Sequence, residues 1–278
     1  MRLRFLIFVF FLSFQTAKSQ SLEFGLSAGV SIYNGDLSPQ NYIKYIKYLG
    51  DIQPAGGVFL RGAVHPKLAI RGSFSIGSFS ADDKGRANES RGLKFKSPLI
   101  ELAVVGEIHP FRNSRNMRGR HFSPYLFGGV ATFFFNPKTD YQGETVELQP
   151  IGTEGQGLAN APDKYSRVQF SIPIGVGLHL QINNRLSIGG EFGARKLFTD
   201  YLDDVGSREV NYGILVSGNG TTAGELSIRN PANRPTEPSN NTYTRGKNLL
   251  DWYYIGGVTL GFKIHSGGRN GQLGCPGF

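Results

Sequence analysis

The sequence predicts an all-β protein, an eight-stranded antiparallel up-and-down transmembrane β-barrel with long external loops. Three observations predict it. Apolar residues recur with period two in eight separate segments, the connections between those segments alternate between long and short, and aromatic residues gather at segment ends. The composition agrees: among 278 residues there are 38 Gly, 12% aromatic and only 18% charged residues, with two Met and one Cys. That mixture argues against a helical bundle, a coiled coil and a disulfide scaffold. After the first fifteen positions no apolar run reaches the eighteen residues or so that a membrane-spanning helix needs.

The chain opens with Arg2 and Arg4, an apolar run over 5–14, and Ala17-Lys18-Ser19 as a cleavage site. This is the pattern of an export signal, so residues 1–19 are expected to be removed and 20–278 to form one barrel domain. Export makes nucleic acid an unexpected partner despite the formal charge of +9.

The first segment carries Leu22, Phe24, Leu26, Ala28, Val30 and Ile32 on one face, with Glu23, Gly25, Ser27, Gly29 and Ser31 on the other. The second reads Val58, Leu60, Val64, the third Leu68, Ile70, Phe74, Ile76, and the fourth Ile100, Leu102, Val104, Ile108. The fifth is assigned Tyr125, Phe127, Ala131 and Phe133 as its apolar face. The sixth runs from Phe170 through Ile172, Ile174, Val176, Leu178 and Leu180 to Ile182, the seventh has Leu186, Ile188, Phe192 and Ala194, and the eighth extends from Trp252 and Tyr254 to Ile264. A soluble sandwich shows the same alternation. What favours a barrel in a membrane is the order of connections: long at 34–53, 80–91, 136–165 and 200–248, short at Pro66, 112–120 and Asn183-Asn184. Tyr33, Phe79, Phe111, Phe122, 133–135, Phe198 and 252–254 stand where interfacial aromatic girdles belong.

Eight strands enclose little more than their own side chains. The inward charges are expected to be Glu23, Glu101, Glu107 and Glu191 against Arg61, Arg71, Arg195 and Lys263, a balanced set that pairs and plugs the lumen, since an unpaired buried charge is costly. With both termini on the short-turn, periplasmic side, that side holds Lys67, Arg112, Arg115, Arg118, Arg120, Arg185 and Arg269. No acid accompanies them, so this rim is suited to an acidic partner or to anionic outer-membrane lipid.

Several strings add specificity. These are Ser31-Ile32-Tyr33-Asn34-Gly35-Asp36-Leu37, Ser123-Pro124-Tyr125-Leu126-Phe127-Gly128-Gly129, the stretch 147–157 (Glu147-Leu148-Gln149-Pro150-Ile151-Gly152-Thr153-Glu154-Gly155-Gln156-Gly157), the stretch 195–205 (Arg195-Lys196-Leu197-Phe198-Thr199-Asp200-Tyr201-Leu202-Asp203-Asp204-Val205), Asp251-Trp252-Tyr253-Tyr254 and the closing Cys275-Pro276. In this order the chain resembles the PorG family, outer-membrane β-barrels of the type IX secretion system of Bacteroidetes. The resemblance implies an assembly role in protein secretion rather than catalysis. It also implies a periplasmic ring as partner, built from a PorK-like lipoprotein and a PorN-like protein, called GldK and GldN where gliding motility depends on them. An insert over 213–245, rich in Asn, Thr, Pro and Gly, departs from the family pattern.

Asp200, Asp203 and Asp204 offer carboxylates to a hard cation, but they lack calcium-loop spacing, so a solvated loop or pairing with Arg195 and Lys196 is the expected state. The glycines around Thr153 and Glu154 lack phosphate-loop spacing and read as a shaped loop with positive φ. The two strings are assigned as a partner-binding rim through Gln149, Gly152, Glu154, Gln156, Asp200, Tyr201, Asp203 and Asp204. No cofactor is expected. His65, His109, His121, His179 and His265 form no ligand pair at metal spacing, and none shares the external rim with a nucleophile. Cys275, in the Gly-rich tail 266–278, has no internal disulfide partner. The Cys-Pro ending shared with the family points it towards a disulfide with the PorK-like lipoprotein.

Overall fold

The computed structural model describes residues 21–38, 51–111, 121–159, 161–236, 240–247 and 249–266. The segment 1–19 expected to be an export signal, the arginines 112, 115, 118 and 120, most of the first long loop, and the tail with Cys275 lie outside the described residues.

Eight long strands form the wall: β1 (Ser21–Asn34), β2 (Ile52–His65), β3 (Leu68–Asp82), β4 (Lys94–Ile108), β5 (His121–Phe135), β8 (Val168–Gln181), β9 (Leu186–Leu197) and β12 (Trp252–Ser266). Each pairs antiparallel with its neighbours in chain order. The β1–β12 pairing, from Ser21 opposite Ser266 to Asn34 opposite Trp252, and the β3–β4 pairing close the ring. Closure leaves no unpaired edge, which a lipid-facing sheet requires.

Alternation sorts the two faces. On β4 every second residue is buried from one end to the other, with Leu102 57% exposed and its neighbour Glu101 fully buried. Val258 of β12 and Phe170 of β8 likewise stand on an exposed outer wall. The wall is apolar because lipid, not water, is the solvent that such a surface suits. Among the described residues no helix is long and apolar enough to cross a membrane.

Two expectations are corrected. On β5 the faces are reversed: Tyr125, Phe127, Ala131 and Phe133 are buried in the lumen, and Phe122, Leu126 and Val130 face outwards. This strand is apolar on both faces, so period two alone cannot orient it; the inward set carries the larger rings because they fill the barrel. The aromatic girdle is also only partial. Phe111, Phe122 and Phe198 are exposed, whereas Tyr33, Phe79, Phe133, Phe135 and Tyr253 turn inwards and build the main apolar core at the long-loop mouth.

That mouth is roofed by a folded cap. β6 (Lys138–Tyr141) and β7 (Glu144–Glu147) make a hairpin across Gln142 and Gly143, both with positive φ, and extend the sheet through Lys96 opposite Lys138. A single turn, α1 (Leu148–Ile151), follows. The insert 213–245 carries secondary structure of its own. α2 (Tyr212–Asn219), whose Asn211 side chain caps the Ile214 N–H at 3.0 Å, packs on α3 (Thr221–Ser227), and β10 (Glu209–Asn211) pairs with β11 (Thr242–Thr244). The cap contributes Leu148, Leu202, Val205 and Leu226 to the same core that the barrel mouth supplies.

Candidate functional site

The lumen is crossed by a continuous charged network. Alternation on β2 and β3 aims Arg61 and Arg71 inwards, and Glu107 of β4 lies between them, 2.8 Å from Arg61 Nε and 2.6 Å from Arg71 Nε. Arg61 Nη1 reaches Glu23 Oε1 at 2.8 Å, and Arg71 Nη1 reaches Glu191 at 3.1 Å. The guanidinium groups also lie over the Phe59 and Phe127 rings, 4.9 and 5.2 Å from the centroids. Hydroxyls and a histidine complete the shell. Ser187 and His179 meet Glu23 at 3.1 and 3.3 Å, and the Tyr125 hydroxyl donates to Glu191 at 3.1 Å. One level nearer the mouth, Arg195 forks onto both oxygens of Glu101, at 3.1 and 3.2 Å, while Tyr253 donates to the same carboxylate at 2.5 Å. The expected plug is therefore present, and Lys263, opposite Glu23 in the β1–β12 register, is half-buried.

The remaining space is small. A cavity of about 30 Å³ lies against Ser27, Ser73, Ser75, Glu191 and Arg195, room for roughly two waters. Inward glycines make the packing possible: a Cβ on Gly177 would sit 2.2 Å from Tyr125 Cζ.

One constellation has the composition of a hydrolase triad. Ser123 Oγ is 3.0 Å from His109 Nδ1, and His109 Nε2 is 3.2 Å from Glu107 Oε2. Ser123 and His109 are completely buried and Glu107 is held by two arginines. No carbonyl can approach a hydroxyl so enclosed, so the three residues act as a hydrogen-bond relay that fixes the network.

The cap holds the assigned rim residues, but not as a rim. Glu154, Gln156, Asp203 and Asp204 are at most 2% exposed, and Gly152 is buried with them; Gln149, Asp200 and Tyr201 keep partial exposure. Their partners are internal. Arg245, itself buried, donates from Nη1 to Thr153 Oγ1 at 2.6 Å and to the Asp204 carbonyl at 2.8 Å, and forms an ion pair with Glu154 Oε1 at 3.3 Å. Asp204, in the left-handed region at φ 66°, accepts from Thr153 at 2.5 Å and from Tyr165 at 2.8 Å. Gln156 Oε1 accepts the Glu154 N–H, and Gln149 bridges Arg167 and the Tyr165 carbonyl. The expected pairing of the aspartates with Arg195 and Lys196 does not occur, because alternation on β9 turns Arg195 into the lumen and Lys196 outwards. Burial pushes the Glu154 carboxyl up to about 7 even with Arg245 beside it. The glycine string has the expected backbone, with Gly152, Gly155 and Gly157 all at positive φ. Among the described residues no three His, Cys, Asp or Glu are arranged to hold a metal ion.

Arg245 escaped sequence reasoning because it lies in the divergent insert. Asp36 and Asp251, beside the cap core, sit within quoted strings and were legible as acids, but not as neighbours of Asp203.

The family model described as a domain of unknown function, DUF6089, matches residues 2–224. The chain belongs to the DUF6089 family. No curated protein matches it. Among solved structures, this DUF6089 chain is similar to the outer membrane protein OprG from Pseudomonas aeruginosa, at 12% identity over 88% of this chain and 97% of that one, with a TM-score of 0.45. Neisserial surface protein A gives 6% identity, 87% and 97% coverage and 0.42. The attachment invasion locus protein Ail of Yersinia pestis, solved with the heparin analogue sucrose octasulfate, gives 7% identity, 88% and 98% coverage and 0.40.

Proposed function

We propose that this chain is a non-enzymatic outer-membrane component of the type IX protein secretion machinery that anchors a periplasmic PorK/PorN-like ring to the membrane. One observation carries the reading: the strings that resemble the PorG family converge. Tyr33, Asp36, Thr153, Glu154, Asp203, Asp204 and Asp251 come from four separate stretches of the chain and meet in one folded cap over a plugged barrel. A bore filled by ion pairs and roofed by the chain's own loops offers no conduit among the described residues, which suits a scaffold. The ring contact is assigned to the short-turn side, where Lys67 and Arg185 are exposed and the 112–120 arginines follow in sequence.

Affinity purification of the tagged chain from detergent-solubilised outer membrane tests this. Co-purification of a ring lipoprotein, together with loss of cargo secretion in a deletion strain, is the expected result. A deletion strain that secretes normally but loses surface attachment would assign the chain instead to adhesion through its long loops.

A further inference from the structure

Where the cap meets the barrel mouth, four carboxyl groups are gathered, and none of them forms an ion pair with a cation among the described residues. Asp203, fully enclosed, accepts the Tyr33 hydroxyl at 2.5 Å and the Val205 N–H at 2.9 Å. Asp251 is also completely buried and accepts the Leu202 N–H through Oδ2 at 2.9 Å, while its Oδ1 has no hydrogen-bond partner. Asp36 accepts the Lys247 N–H through Oδ1 and leaves Oδ2 buried and unpartnered, as does Asp200 with its Oδ1. Asp251 and the Tyr33–Asp203 pair meet beside Gly35, where an added Cβ would lie 1.9 Å from Asp251 Oδ1 and 2.2 Å from the Tyr33 hydroxyl oxygen.

The surrounding cations make their ion pairs elsewhere, and the charges of Arg91 and Lys247 act on Asp36, and that of Arg91 on Asp203, only through space. From the loop after β3, Arg86 pairs with Asp51 and Arg91 with Asp83, and Arg91 otherwise holds backbone carbonyls of Asp36 and Arg245. From the loop before β12, Arg245 serves Glu154 and Asp204, and Lys247 is exposed and gives Asp36 its backbone N–H. From the loop after β5 come Glu154 and Tyr165, and beside Asp200 stands Tyr201, none of which supplies positive charge. Below, in the barrel, Arg195 belongs to Glu101. Four carboxylates so placed cannot all be ionised while the cap is closed.

We propose that Asp36, Asp200, Asp203 and Asp251 form a proton-loaded latch that holds the cap on the barrel mouth, and that rising pH releases it. In an opened, solvated cap these carboxyls return to values near 4. In the closed cap burial, then Asp36 and Glu154, lift Asp200 to about 7, and burial and neighbouring acids lift Asp203 and Asp251 well above the usual range. The closed form therefore binds the extra protons, so closure is strongest on the acid side and weakens as pH rises from about 4 through 7.

Hydrogen exchange on the full-length chain in detergent micelles, read as protection factors corrected for the chemical exchange rate, tests the latch. Amides of 199–206 should lose between about tenfold and about a hundredfold in protection between pH 5 and pH 8, each linked proton giving about tenfold per pH unit until Asp200 is ionised at about 7, while β4 amides stay constant. The D203N/D251N pair, which fixes two of the four groups in the neutral form, should lose clearly less protection over this range than wild type. Should that pair fail to assemble, D36N/D200N should still reduce the fall. A flat wild-type profile, or the same fall in the Asn variants, overturns the proposal. Restoration of wild-type protection at pH 8 by added Ca²⁺ also overturns it, because a cation and not protons would then neutralise the cluster.

Discussion

Arg245 shows how much one side chain can carry. Its guanidinium touches Thr153, Glu154, the Asp204 carbonyl and, through Nε, the Ser227 carbonyl at 3.2 Å, so it ties together the loop after β5, the loop after β9 and α3. Removing it in Arg245→Ala leaves two carboxyls buried without a counter-charge, a loss of about 3–5 kcal/mol for a buried pair broken on one side. The effect should be confined to the cap: limited proteolysis of the variant should cut within 200–250 while the β-sheet signal in circular dichroism stays at the wild-type level. Cys275 poses a different residue-scale question. If the disulfide implied by the family ending forms, non-reducing electrophoresis of freshly alkylated membranes shows a heavier species that vanishes with reductant and in Cys275→Ser. A monomer-only pattern in wild type excludes the covalent tether.

At the scale of elements, legibility followed the number of faces that a segment offers to contrast. β4 alternates Leu102 with Glu101 and Val104 with Ala103, so its period was readable at once. β5 places Tyr125 and Phe127 opposite Leu126 and Val130, giving apolar character in both registers, and only the size of the space inside the barrel decides between them. The cap was read as exposed loop because its acids look solvated in sequence. What buries them is a set of long-range partners, Tyr33 with Asp203 and Arg245 with Glu154, that no local spacing encodes. The turn between β4 and β5 remains readable by charge alone. Replacing Arg112, Arg115, Arg118 and Arg120 together by Ser should leave the barrel folded and weaken co-purification of the ring, more at low salt than at high salt, where exposed charges are screened. Equal recovery of the ring at low salt would leave those arginines with a lipid role.

For the whole molecule, two independent closures stand in series, the ion-pair belt from Glu23 to Glu191 and the cap above it. Planar-bilayer recordings should therefore show no sustained conductance for wild type. Removing 206–247 should leave it low as well, because the belt still fills the bore; stable porin-like steps from the wild-type chain would contradict the network.

The seam between β1 and β12 gives the molecule an order of assembly. It joins the two ends of the described chain, Ser21 with Ser266 and Asn34 with Trp252. Tyr33, at the top of that seam, grips Asp203, 170 positions away. Loop closure over such a span comes late, and the grip also needs Leu202 fixed by Asp251, the residue directly before β12. The roof therefore cannot be finished until the last strand docks on the first. While the strands are being inserted the bore stays open at its top, so a chain stalled before β12 should be recognisable to quality-control proteases by its unfinished roof.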